Sequence, residues 1–190
     1  MRLEIKRAIL HVLIGAVIIL ASMETRIVWF LFFLLIAGLL ISLLSLKYRL
    51  PLISWFLENF ERPNYIKTFP GKGILFLVAG CLLSLKLFPN DIALASIAIV
   101  SLGDPVSHLI SGNFKSNLVK RKNILGILAG IMISGIAASF FVALPFALIA
   151  SAFAMAAEVL IIKLGEDPVD DNIIMPIVAG TVLYLLSVYV

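Results

Sequence analysis

The sequence predicts an all-α fold, a polytopic membrane helix bundle of about seven transmembrane helices plus a short interfacial helix. Three observations predict it. Of 190 residues, 62% are apolar and the mean hydropathy is +1.15, far outside the range of soluble domains. The apolar residues fall in runs long enough to cross a bilayer. Proline, glycine and charge clusters separate those runs. One integral membrane domain, residues 1–190, is the simplest organisation.

The expected spans are roughly 8–23, 27–46, 73–89, 91–112, 124–144, 146–163 and 172–190. The first resembles a signal peptide, with Lys6-Arg7, an apolar run and Ala21-Ser22. The second span follows almost at once, and His11 interrupts the run, so a membrane helix is the better reading. Leu52 to Phe60 is too short to cross. It sets Trp55, Phe56 and Phe60 against Glu58 and Asn59, as an interfacial helix does. Pro63, Pro70, Gly71 and Gly73 then break the chain.

Lys and Arg set the orientation. With the N-terminus inside, all of the 15 basic residues except Arg26 and Lys86 lie on inner segments. The N-terminus is expected to be cytoplasmic and the C-terminus outside, with a prokaryotic plasma membrane suiting the small size. The outer loops are minimal, so any site belongs to the cytoplasmic face. The net charge of +4 follows from this topology and does not indicate a nucleic-acid partner. The single cysteine, Cys81, excludes an intrachain disulfide.

Asp104, Glu158, Asp167, Asp170 and Asp171 all fall toward that inner face. An acid at the centre of a membrane helix costs about 2.5–3.5 kcal/mol even on lenient scales, which makes it a functional candidate. Asp104, Ser107, His108 and Ser111 recur at helical i, i+3, i+4 and i+7 spacing and are expected to share one face. Pro105 removes a backbone donor, which predicts a kinked or broken helix. The bland alternative is that Asp104 pairs with a lysine and holds two helices together, and that His108 is a packed histidine.

The basic loop Lys115, Lys120, Arg121 and Lys122 leads into a helix carrying Gly126 and Gly130, residues that permit close approach. The N-terminus of that helix favours phosphate. The acidic segment Gly165 to Asn172 follows Glu158. Carboxylates facing lysines suit Mg2+, which binds a few carboxylates together with phosphate oxygens and water. These features suggest a magnesium-nucleotide site that opens sideways to a lipid. No Walker loop is present.

Gly103-Asp104 with Ser107 and Gly112, the segment Lys120 to Gly126, and Asp170 to Pro176 with Ala179-Gly180 resemble the dolichol kinase and phytol kinase family. That family includes a nucleotide-dependent diacylglycerol kinase and is distantly related to phosphatidate cytidylyltransferases. Lys6-Arg7 with His11, and Phe69-Pro-Gly71 with Gly73, fit the same pattern. The chain departs from it at Leu125 and Asn123, where the family often has Glu and Ser.

The resemblance implies CTP-dependent, metal-dependent phosphorylation of a membrane lipid alcohol such as dolichol or another polyprenol. Asp104 matches the family's metal- or nucleotide-binding aspartate, Lys120, Arg121 and Lys122 its basic segment, and Asp171-Asn172 its acidic-amide motif. The expected roles are therefore as follows. Asp104, Glu158 and His108 are catalytic, while Asp104, Asp171 and Asp170 hold Mg2+. Lys115, Lys120, Arg121, Lys122, Ser107 and Asn172 bind CTP or ATP. A cytidylyltransferase acting on a lipid phosphate and a small membrane transporter are the alternatives, and small-residue faces leave a homo-oligomer open.

Overall fold

Apolar runs stopped by Pro and Gly become helices in the computed structural model, which describes residues 2–22, 24, 26–112, 123–164 and 170–189. Among the described residues there are nine helices and no strand. They are α1 (Arg2–Ala21), α2 (Ile27–Lys47), α3 (Pro51–Phe60), α4 (Pro63–Ile66), α5 (Lys72–Leu87), α6 (Asn90–Ser111), α7 (Ile124–Ala138), α8 (Leu144–Leu164) and α9 (Asp171–Tyr189). Three of them, α2, α6 and α9, are long and apolar enough to cross a membrane.

Helix boundaries follow local chemistry. Pro51 and Pro63 sit in the first turns of α3 and α4, where a missing N–H costs nothing. Gly71 precedes α5 with φ of 77°, a left-handed turn that favours glycine. Asn123 caps α7, its side chain accepting the Gly126 N–H at 2.7 Å.

Several limits differ from those expected. The first helix begins at Arg2 rather than near residue 8, because charged residues are good helix formers where they need not be buried. The fifth ends at Ala138, and turns at residues 139–142 separate it from α8. The segment after Pro63 forms the extra turn α4 instead of only breaking the chain. Pro105 does not break α6, which continues to Ser111. One lost hydrogen bond there is outweighed by packing on a helix that is largely buried.

That buried helix, α6, forms the centre of the bundle, with α1, α5, α7, α8 and α9 against it. Small residues permit the approach. A Cβ on Gly130 would stand 2.9 Å from the Gly103 carbonyl oxygen, and one on Gly126 would stand 2.6 Å from that of Ser107. Gly126 and Gly130 thus pack within the chain, against α6. A Cβ on Gly80 of α5 would fall on the carbonyl oxygen of Asn172 in α9. The core between them includes Leu77, Ile97, Ile99, Met155, Met175 and Leu183.

By contrast, α2 packs on α5 and leaves Trp29, Phe30, Phe33, Leu40 and Leu43 exposed. An apolar face of this size is at home against lipid tails. Ser42 on its buried side donates to the Pro70 carbonyl at 2.6 Å, tying α2 to the turn before α5.

Candidate metal and anion site

Five helix ends meet at one end of the bundle. They are the N-terminal parts of α1, α5 and α9 and the C-terminal parts of α6 and α8. A cavity of about 150 Å³ lies among them, and Arg62 and Tyr65 from the α3–α4 segment also line it. Its polar walls come from residues far apart in sequence, from Arg7 to Asn172.

Asp104, His108, Glu158 and Asp171 each turn one ligating atom to a common point, all within 4.8 Å of one another. The spacing of Asp104 and His108 puts them one turn apart on α6, with His108 Nε2 3.1 Å from Asp104 Oδ1. The same nitrogen lies 3.9 Å from Oε1 of Glu158. Glu158 reaches this point from α8 with its side chain fully buried, and Asp104 is 14% exposed. Three carboxylates with one imidazole form a donor set that suits a divalent cation.

Positive side chains surround the acids. Glu4 holds two of them, through Oε2 to Arg7 Nη1 at 3.0 Å and through Oε1 to Arg62 Nε at 3.4 Å. Burial alone would push the Glu4 carboxyl up, but Arg62 and Arg7 outweigh it and hold the group below its usual range. The Arg62 guanidinium is correspondingly raised: burial opposes its charge, and Glu4 more than restores it. Lys72 lies 3.7 Å from Asp170 Oδ2 and 4.9 Å over the Tyr65 ring.

The acidic-amide pair at the start of α9 divides its work. Asp171 joins the four-donor cluster. Asp170 accepts from the Asn172 side-chain amide at 2.8 Å and pairs with Lys72. Asp170, expected as a metal ligand, lines the cavity and lies outside the four-donor cluster. Its oxygens organise Lys72 and the first turn of α9, where an acid also suits the helix dipole. Asn172, expected to bind nucleotide, lines the cavity, and its Oδ1 has no hydrogen-bond partner among the described residues.

Ser107, expected to bind nucleotide, is placed differently from Asp104 and His108. Asp104 and His108 face the cavity, but Ser107 and Ser111 lie on the α7 side of α6. Ser111 Oγ accepts the Asn123 N–H at 3.0 Å, and Ser107 packs beside Gly130. A spacing of i+3 and one of i+4 turn in opposite directions around a helix, so four residues on one broad face can serve two neighbours. Lys115, Lys120, Arg121, Lys122 and Asp167 lie outside the described residues.

Sequence reasoning did not single out Glu4, Arg62, Tyr65 or Lys72, which look like ordinary inner-face charge and interface residues in a linear reading. Lys72 between two glycines was the available signal. No protein-family model matches the chain, nor does any curated protein or solved structure.

Proposed function

We propose that the chain is a multi-pass membrane kinase that transfers the γ-phosphate of CTP, or of another nucleoside triphosphate, to the hydroxyl of a lipid alcohol such as a polyprenol. The observation that carries this reading is the convergence of Asp104, His108, Glu158 and Asp171 beside Arg7, Arg62 and Lys72 in one cavity. Acids grouped for a cation and bases grouped for phosphate are what phosphoryl transfer requires, because it asks the protein mainly for positioning and charge stabilisation. The family resemblance supplies the nucleotide and the acceptor class.

In this reading seven helices, all but α3 and α4, cross the bilayer, with the N-terminus cytoplasmic and the C-terminus outside. The cavity then faces the cytoplasm, where nucleotide is present. The bundle gives an acceptor lipid access from the side.

Mg2+ held by Asp104, Glu158 and Asp171 would offset the phosphate charge. Arg7, Arg62 and Lys72 would bind phosphate oxygens, and Lys115, Lys120, Arg121 and Lys122 would neutralise the triphosphate. The lipid oxygen attacks the γ-phosphorus, the bond from that phosphorus to the β–γ bridging oxygen breaks, and the nucleoside diphosphate leaves. The hydroxyl proton passes to a carboxylate, Asp104 or Glu158. His108 donates to Asp104 and fixes its orientation, and the Asn172 amide adds a polar contact at the cavity wall.

The test supplies purified protein in liposomes with Mg2+, polyprenol, geranylgeraniol and diacylglycerol. Separate arms carry γ-labelled CTP, α-labelled CTP and γ-labelled ATP. Label entering lipid from the γ position alone is the expected result. Label from the α position would instead mean cytidylyl transfer, and no label in any arm would reject a kinase for these acceptors.

A further inference from the structure

His11 lies one turn after Arg7 on α1, and its Nε2 is shielded from solvent with no hydrogen-bond partner among the described residues. A buried nitrogen of this kind is costly unless something completes it. It lines the main cavity and also a second, smaller one of about 30 Å³. The walls of the smaller cavity include Leu10, Ile14, Phe60, Ile74 and Leu77, from α1, α3 and α5. Its acid, Glu61, is engaged by the backbone N–H of Arg62 at 2.8 Å.

Gly73 borders both cavities as well. Packing does not demand a glycine there, since a Cβ would meet only Arg7 Nη2, at 3.6 Å. A side chain at this position would take up space on the border that the two cavities share. Arg7 also lines the smaller cavity, so its walls combine charged groups with five apolar side chains. Arg7 is held by Glu4 and Glu61 by the Arg62 N–H, so the unpartnered His11 nitrogen beside five apolar side chains matches a molecule with one hydroxyl on a hydrocarbon chain.

We infer that the recess between α1, α3 and α5 receives the head end of the acceptor lipid, with its hydroxyl hydrogen-bonded to His11 Nε2 and facing the carboxylate cluster. The first carbons occupy the recess, and the rest of the chain leaves along α1 into the bilayer. His11 is then a positioning residue, and Gly73 leaves room for the lipid head where the two cavities adjoin. This inference rests on the lipid-alcohol reading above.

The experiment uses the full chain in liposomes with a photoreactive geranylgeraniol that carries a diazirine near its hydroxyl end. Crosslinks should map to Leu10, Ile14, Phe60, Ile74 or Leu77. Unlabelled geranylgeraniol should compete, and geranylgeranyl acetate, which has no hydroxyl, should not. His11→Ala should weaken this labelling about tenfold, the effect of one lost hydrogen bond of roughly 1.4 kcal/mol, and His11→Gln should restore part of it. Gly73→Val should block labelling in a folded protein, because its Cβ has room.

In the transfer assay, His11→Ala should raise KM for the alcohol and leave KM for the nucleotide unchanged. Labelling spread evenly over the outward faces, or unchanged in His11→Ala, would overturn the inference. Recess labelling without phosphate transfer would reject the kinase and retain the alcohol site. Transfer with a normal alcohol KM in His11→Ala would reject the role of His11 alone.

Discussion

His108 and Asp104 are joined along α6, Nε2 to Oδ1 at 3.1 Å, and the same imidazole nitrogen lies 3.9 Å from Glu158 Oε1 on α8. One histidine thus links acids on two helices. Asp104→Asn keeps the shape of the side chain and removes its charge. In the proposed kinase it should lower transfer by about 10²–10³-fold, the loss typical of one well-placed charge stabiliser. Initial rates with γ-labelled nucleotide check this, and near-normal turnover in a folded variant would count strongly against the assignment.

Divalent cations should stabilise the protein through the four-donor cluster. At a hundred times the dissociation constant, a ligand specific to the folded state adds about 2.7 kcal/mol. Thermal unfolding in Mg2+ or Mn2+ series should show a rise in Tm for the natural chain. Asp171→Asn and Glu158→Gln should abolish that rise. An equal rise in all three proteins would place cation binding elsewhere.

The Glu4 clamp predicts an acid limit to stability. Arg62 and Arg7 hold the Glu4 carboxyl below its usual value, against the upward push of burial. A group lowered in the folded state contributes fully above its unfolded pKa, about 4.3, and that contribution disappears as pH falls through the folded value. Glu4→Gln should therefore lower Tm near neutrality and narrow its difference from the natural chain below about pH 4. Parallel curves at every pH would show that the clamp does not contribute. Glu4 is partly exposed, so the effect should be small and should shrink with salt.

Asn123→Ala removes the cap of α7, leaving the Gly126 N–H without its 2.7 Å acceptor. A loss of about 0.5–2 kcal/mol is expected, and Asn123→Asp should retain most of the stability. Denaturation midpoints of the three proteins decide the matter.

Gly80→Leu should disturb the site from a distance. Its Cβ would strike the Asn172 carbonyl and approach Pro176 Cγ to 3.1 Å. Overpacking of this kind costs about 1–3 kcal/mol, and here it pushes on the first turn of α9, which carries Asp171. Metal-dependent stabilisation should weaken together with Tm. A variant that loses Tm and keeps the full metal response would show that α9 absorbs the strain elsewhere.

The apolar runs made the helical class legible, and helix spacing made Asp104 and His108 legible as a pair. The same spacing misled at Ser107, because a face wide enough for four residues also borders α7. Glu158 stood out as an acid on an apolar helix, and Asp171 as part of an acidic segment that the family resemblance picks out. Arg62 and Lys72 did not, since cations on an inner segment are expected from topology alone. Their function is visible only when Glu4 and Asp170 are seen to hold them. The division of labour between Asp170 and Asp171 was hidden for a similar reason: adjacent acids on a first turn point in different directions, and no periodicity tells which one faces inward.

Arg7 and Asp171 border one cavity, although most of the chain separates them. During synthesis Arg7 would therefore wait until nearly every later helix had formed before the cavity could close around it. A nascent chain lacking α9 lacks Asp171 and cannot hold the complete four-donor cluster. Pairing elements so distant in sequence is slow relative to closing local turns. Capacity to bind metal should consequently appear late and in a single step as the protein matures, long after its helices have formed.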